Sequence, residues 1–430
     1  MNALFLAIVL IAFATAAWRQ VAFVPVAADA LPPMQAIANQ MLDAASAAVT
    51  LSIGLVGVMT LFLGLTKVAE AGGLLTIIAK TIRPLMVRLF PEVPGDHPAM
   101  GAMILNLSAN VLGLGNASTP FGIRAMQELD RLNPHKGTAT DAMVMFLALH
   151  TTSLALLPTG VVALRAASGS KDAATIVPTT LVAMLAATVT AIIAAIVLRR
   201  FYPLAPTPIE AAQAAEQRPT TEVDLAAGSA AYPAWVSALA LIGIIAFVPL
   251  TLLYGRAFSP WVIPGLMVGF LLFGAMRGVR VYEVFIEGAR DGFDLAIRII
   301  PYLVAILTAV AMFRASGALE AMVRILGPVT NAIGLPPDVL PMALLRPLSG
   351  SGAFAVLAAL LQDPAVGPDT YAGQLASTLQ GAMDTVFYIL AIYFGAIGIR
   401  RMRHALPSML IGATAGIVAA IVVCKLLFLA

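Results

Sequence analysis

The sequence predicts an all-α polytopic membrane protein built from two repeats of inverted topology, each with broken or re-entrant helices. Three observations predict it. The 430 residues are 60% hydrophobic and only 11% charged, with a mean hydropathy of +0.94. Several uncharged runs are about 20 residues long, enough to cross a hydrocarbon core, whereas the alternating ~10-residue pattern of a membrane barrel is missing. Finally, glycines, prolines and a serine motif recur in the same order in the two halves.

Taken in order, full spans are expected near 2–18, 46–66, 140–164, 174–199, 235–254, 260–276, 293–313, 372–399 and 405–429. The first run resembles a signal peptide at its Ala-Thr-Ala, but no basic residues precede it, which favours a retained span. Segments 70–135 and 315–370 hold apolar pieces cut by Gly and Pro, too short to cross alone. Residues 201–233, rich in Pro, Glu, Gln and Thr, read as a mobile cytoplasmic linker between units 1–200 and 234–430. Arg199, Arg200, Arg277, Arg280, Arg400, Arg401 and Arg403 end spans, and Arg124, Arg131 and Lys136 precede one. Placing all of them inside is self-consistent, with 19–45 and the C-terminus outside. The inner, cytoplasmic membrane is the expected location.

Several classes are excluded or disfavoured. The net charge of +3 and pI near 9.1 reflect basic inner loops; no basic run interleaves with aromatics, so nucleic acid is not an expected partner. The single Cys424 supports neither an intrachain disulfide nor a cysteine metal site. No cofactor or metal is expected, and no G-x-x-x-x-G-K-[ST] loop is present, so coupling is to an ion gradient or to none. A homo-oligomer is compatible with the sequence.

The repeat aligns Gly72 and Gly73 with Gly317, Pro84 with Pro328, and "LNLSAN" with "RPLSGS", so that Ser108 falls on Ser349 and Asn110 on Ser351. Three spans lie between the copies, an odd number, which inverts the second. Such a repeat is a hallmark of secondary transporters, which hold the substrate near the midplane at broken helices. The stretches "NLSANVLGLGNASTP" and "RPLSGSGA" are therefore read as facing helix breaks. Asn106, Ser108, Asn110, Asn116, Ser349 and Ser351 supply polar groups there; helix packing through the same small polar residues is the competing reading. An aspartate at mid-span costs about 2.5–3.5 kcal/mol, so Asp384 is expected to face a cavity or a partner, with Arg346 as counter-charge. Ser377, Gln380, Asp384 and Tyr388 are read as one helical face. His150 and Thr152, in the related span, complete the candidate substrate-binding set; His150 is read as a proton carrier or a packed core histidine. Lys67, Glu70 and the 281–298 segment are read as interfacial, and Glu320–Arg324 as a surface pair.

These motifs resemble the spore maturation protein A and B pair fused into one chain. The A-like half, about 1–200, carries "NLSANVLGLGNASTPFGIRAMQEL" and "ATDAMVMFLALHTTSLALLPTGVVALR". The B-like half, about 235–430, carries "RPLSGSGAF" and "GAMDTVFYILAIYFGAIGIRR". Each half is similar to a nucleoside recognition, or Gate, domain, a module of concentrative nucleoside transporters and Feo-type iron transporters. The resemblance implies a transport-type membrane protein and fixes no substrate. The expected function is a transporter or permease for a small polar solute or ion. A non-transporting scaffold or signalling component is the alternative. An intramembrane hydrolase built on the 349–352 "SGSG" with His150, or on Asp141 with Asp384, is disfavoured.

Overall fold

The computed structural model describes residues 2–23, 31–113, 118–152, 155, 158–204 and 232–429, and shows helices with no strand among them. The helices are α1 (Asn2–Val21), α2 (Pro33–Ala71), α3 (Leu74–Leu89), α4 (Pro98–Val111), α5 (Thr119–Leu132), α6 (Asp141–Thr152), α7 (Thr159–Ala167) and α8 (Val177–Leu198). There follow α9 (Ala234–Met276), α10 (Val281–Ala315), α11 (Ala318–Ile333), α12 (Leu340–Leu345), α13 (Gly350–Gln362), α14 (Tyr371–Ala382), α15 (Val386–Ala396) and α16 (Ala405–Phe428). Among the described residues, five helical stretches are long and apolar enough to cross a membrane, which makes this a multi-pass membrane protein.

The element order repeats: α2–α8 correspond in turn to α10–α16. The long α2 and α10 come first. Then come α3 and α11, each of 16 residues, each entered through a left-handed glycine (Gly73, φ 86°; Gly317, φ 83°) and each with a proline at the eleventh position, Pro84 or Pro328. A side chain at either φ would be strained, so Gly is required at both turns. Two helix–break–helix units follow, and a final helix of 22 or 24 residues.

Several expected boundaries differ. The spans at 140–164 and 372–399 are each two helices: α6 ends at Thr152 and α7 starts at Thr159, and α14 ends at Ala382 and α15 starts at Val386. The spans at 235–254 and 260–276 form one helix, α9, with the anticipated loop inside it. Gly and Pro weaken a helix without ending it when neighbours hold it, as membrane helices allow. The count of three intervening spans therefore falls, and with it the parity argument. Likewise 46–66 is the later part of the 39-residue α2. The interfacial segment 281–298 and the span after it are one helix, α10. The linker lies largely outside the described residues.

Equivalent helices pack antiparallel. Along α2 and α10, Gly64 lies against Phe285, Gly288 against Leu63 to Lys67, and Gly292 against Met59 and Thr60. Along α8 and α16, Gly412 meets Ala187 and Ala191, and Gly416 meets Ala183 and Ala187. Lipid tails are as apolar as leucine, so helices join here through close van der Waals contact, which small residues permit. The two larger buried cores draw on both halves: one combines Phe62, Leu164 and Leu357, the other Met103, Phe146, Tyr393 and Met409.

The loops at the ends of the broken helices clasp across the copies. At one end Ala139 N donates to Arg401 O (2.9 Å) and Arg400 N to Gly137 O (2.9 Å), while Arg403 pairs with Asp141 at 2.6 Å. At the other, Arg165 pairs with Asp369 at 3.1 Å and also donates to Pro368 O (2.6 Å). Thus α6–α7 and α14–α15 also run antiparallel.

Candidate functional site

The two mid-helix breaks meet. Asp384 N donates to Thr151 O at 2.8 Å, and Gly381 lies so close to Pro158 that an added Cβ would stand 3.0 Å from its Cβ. Helix ends leave orphan amides and carbonyls, which in a membrane must be satisfied by protein or by a wet cavity. Side chains do much of this here. Arg346 Nε donates to Gln380 O (3.1 Å), Nη1 to Thr385 Oγ1 (3.3 Å) and Nη2 to Met383 O. Phe387 N donates to Pro347 O (3.2 Å), tying the second copy's two breaks together. In the first copy Asn106 Nδ2 donates to Ser118 O at 2.8 Å.

His150 and Gln380 are equivalent, each third from the end of its 12-residue helix. His150 Nδ1 lies 2.7 Å from Asn106 Oδ1 and 3.1 Å from Asn110 Nδ2, and Nε2 lies 3.1 Å from the Tyr393 hydroxyl. With the proton on Nδ1, His150 donates to Asn106 and accepts from Tyr393. Gln380 Nε2 donates to Gly350 O at 3.3 Å, while its Oε1 is buried with no hydrogen-bond partner.

Beside the breaks opens a cavity of about 670 Å³. Its walls come from both copies: Asn110 and Thr159 from the first, Arg346, Gln380 and Asp384 from the second. The long helices add Lys67 and Glu70 from α2 and Asp291, Asp294 and Arg298 from α10.

Of the sequence-predicted set, then, the structure joins Asn106, Asn110 and His150 in one network and places Asn110, Arg346, Gln380 and Asp384 on one cavity. Others stand apart. Ser108 Oγ donates to Ile104 O within its own helix (2.7 Å), and Thr152 Oγ1 to Leu149 O (3.1 Å). Ser349 caps α13, accepting from Gly352 N at 3.1 Å; Ser351 is exposed. Asn116 lies outside the described residues. "NLSAN" lies within the helix α4, whereas "RPLS" is itself the break before α13.

Three expectations are corrected. Asp384 does not continue a polar helical face with Ser377 and Tyr388; it sits in the extended break, its Oδ1 accepting from Thr385 N at 2.7 Å. Nor do Arg346 and Asp384 form an ion pair, because the guanidinium is taken by carbonyls that the break exposes. Glu320 and Arg324 are exposed, as expected of a surface pair, but no ion pair joins them. The serine of "SGSG" is occupied as a cap. Asp141 and Asp384 are separated by most of α6, about 15 Å at 1.5 Å per residue, too far for a carboxylate dyad.

Sequence reasoning missed Tyr393, 1% exposed, and Arg165, 0% exposed. It also set Lys67, Glu70 and the α10 charges at the interface. A signal was present: Asp291, Asp294 and Arg298 recur at i, i+3 and i+7, one face of a helix.

The family model described as nucleoside recognition, Gate, matches residues 52–168 and 296–400. Spore maturation protein B of Bacillus subtilis (strain 168) is 45% identical over 166 residues, 39% of this chain and 92% of that protein. Spore maturation protein A of the same organism is 43% identical over 160 residues, 37% of this chain and 82% of that one. Among solved structures, the YdaH transporter of Alcanivorax borkumensis, described as having an unusual topology, matches 98% of this chain and 96% of its own at 15% identity. Its TM-score of 0.41 is too low to carry an argument.

Proposed function

This chain belongs to the spore maturation protein A/B family of Gate, or nucleoside recognition, membrane proteins, and from that premise we propose that it is a transporter or permease. It moves a small polar solute or ion through the cavity where the two breaks meet. The observation that carries the reading is that cavity: about 670 Å³, within the range of ligand sites, lined by charged and amide side chains of both copies. A static scaffold gains nothing from unwinding two helices around a polar void, since each unwound turn exposes backbone groups that need partners. The substrate-binding residues in this reading are Asn110, Arg346, Gln380 and Asp384, with Asn106 and His150 behind them. No residue is assigned a catalytic role.

The two units, 1–200 and 234–430, are inverted copies joined by the 201–233 linker. The antiparallel packing of α2 on α10 and α8 on α16 supports this, because a two-fold axis in the membrane plane reverses equivalent helices. The basic loop pair, with Lys136, Arg400, Arg401 and Arg403, faces the cytoplasm of an inner membrane. Labelling of a cysteine at Ala214 by an impermeant reagent outside intact cells would overturn that orientation.

The test is uptake of radiolabelled nucleosides, amines and amino acids by proteoliposomes, against protein-free vesicles. Saturable uptake lost in Asp384→Asn supports the reading. No uptake of any solute, with the protein folded, would favour a scaffold.

A further inference from the structure

The inner wall of the cavity has hydrogen-bond acceptors to spare. Gln380 is 8% exposed, and its amide orientation is fixed: Gly350 O can only accept, so Nε2 must face it. Oε1 is thereby the leftover end, buried and without a donor. Asp384 nearby uses one carboxylate oxygen on Thr385 N; the other has no donor. No hydrogen bond or ion pair joins it to the adjacent Arg346, whose Nε, Nη1 and Nη2 donate to Gln380 O, Thr385 Oγ1 and Met383 O.

The outer wall has the same sign. Lys67 is held by Glu70 at 3.6 Å and Glu287 at 3.7 Å, whereas Asp291 and Asp294 form no ion pair. Four carboxylates (Glu70, Asp291, Asp294, Asp384) face three cations (Lys67, Arg298, Arg346). One buried acceptor without a donor, Gln380 Oε1, beside the half-buried Asp384 carboxylate, calls for a ligand that donates, and the excess of carboxylates calls for a positive one. An ammonium group has three N–H donors and no acceptor. A bare metal ion fits the chemistry but not the space, which matches an organic solute.

We propose that the cavity binds its solute through a protonated primary amine seated against Asp384 and the Gln380 side-chain carbonyl. This rests on the reading of the cavity as a solute site. The probes are 1,5-diaminopentane, its fully N-methylated bis-quaternary analogue, uridine and sodium ion. The readout is thermal unfolding of the purified full chain in detergent, reported by a thiol-reactive dye at Cys424, which is the single cysteine and buried. The diamine raises the midpoint with concentration, and the quaternary analogue, equally charged but without N–H, does not. Asp384→Asn and Gln380→Leu each weaken the diamine about tenfold or more, as loss of a hydrogen bond to a charged group predicts. Equal stabilisation by the quaternary analogue or by sodium, or a response to uridine alone, would overturn the amine. The underlying reading has its own check: in a Cys424→Ser background, a cysteine at Thr159 should react with a water-soluble maleimide. Failure of that reaction would remove the solute site itself; success without any diamine response removes only the amine.

Discussion

Substituting Gly292 by alanine should open the seam between the two long helices. An added Cβ would stand 2.7 Å from Thr60 Cα, 2.8 Å from Met59 O and 2.8 Å from Thr60 N. Non-bonded carbons prefer about 3.5–4.0 Å, so α2 and α10 must part by about 0.7 Å or more. All three neighbours are backbone atoms, so no rotamer change relieves the clash. Overpacking costs about 1–3 kcal/mol, and rigid neighbours place this site at the upper end. Alanine's better helix propensity returns about 1 kcal/mol, leaving a net loss of about 2 kcal/mol. Gly269, in α9, is the control, with nothing within 4 Å of an added Cβ; Gly269→Ala should be neutral or gain up to about 1 kcal/mol. Thermal release of buried Cys424 to a thiol dye measures both, and Gly292→Ala should melt lower by about 2 °C. A Gly292→Ala midpoint at or above wild type would refute the seam, and with it the cavity wall that Lys67 and Asp291 form.

Three further outcomes follow from the same contacts. Arg165 is fully buried and bonded to Ala173 O, Pro368 O, Ser170, Asp172 O and Asp369, so Arg165→Gln should cost about 3–5 kcal/mol in chemical unfolding, and Lys should not rescue it. At Asp369 burial pushes the carboxyl pKa up, but the Lys171 amide, the Ser170 hydroxyl and Arg165 together hold it below the ordinary 3.8. Its stabilisation is therefore present above about pH 4 and lost as pH falls through the lowered folded value; Asp369→Asn should flatten the acid limb of the melting profile, and an unchanged limb would remove Asp369 from the clasp. Because Arg346 is held by carbonyls and not by Asp384, Asp384→Asn should melt near wild type while Arg346→Gln falls by about 2 kcal/mol or more. The double variant should be no more stable than Arg346→Gln, and recovery in the double would restore the ion pair.

The sequence by itself determined what depends on composition and local pattern. Uncharged runs too long for a soluble core mark membrane helices, whatever they pack against. The recurring helix order was legible in part because Gly73 and Gly317 give the same left-handed turn before α3 and α11, and each of these helices carries a proline, Pro84 or Pro328, at its eleventh position. The network of Asn106, Asn110 and His150 and the cavity residues Arg346, Gln380 and Asp384 were legible as polar groups too costly to place in lipid. Tertiary structure decided where helices actually break and which charges pair. The unwinding at 383–385 contains no glycine or proline, only Gly381 in the helical turn before it; it persists because Arg346 and Thr151 bind the groups it frees, and those partners are 37 and 233 residues away in the chain. The single helix at 234–276 overrides the loop that its local residues favoured. Lys67, Asp291 and Arg298 read locally as interfacial, and only the antiparallel packing of α2 on α10 turns them toward the breaks. Charge pairing follows distance in space, and sequence separation carries almost no information about that.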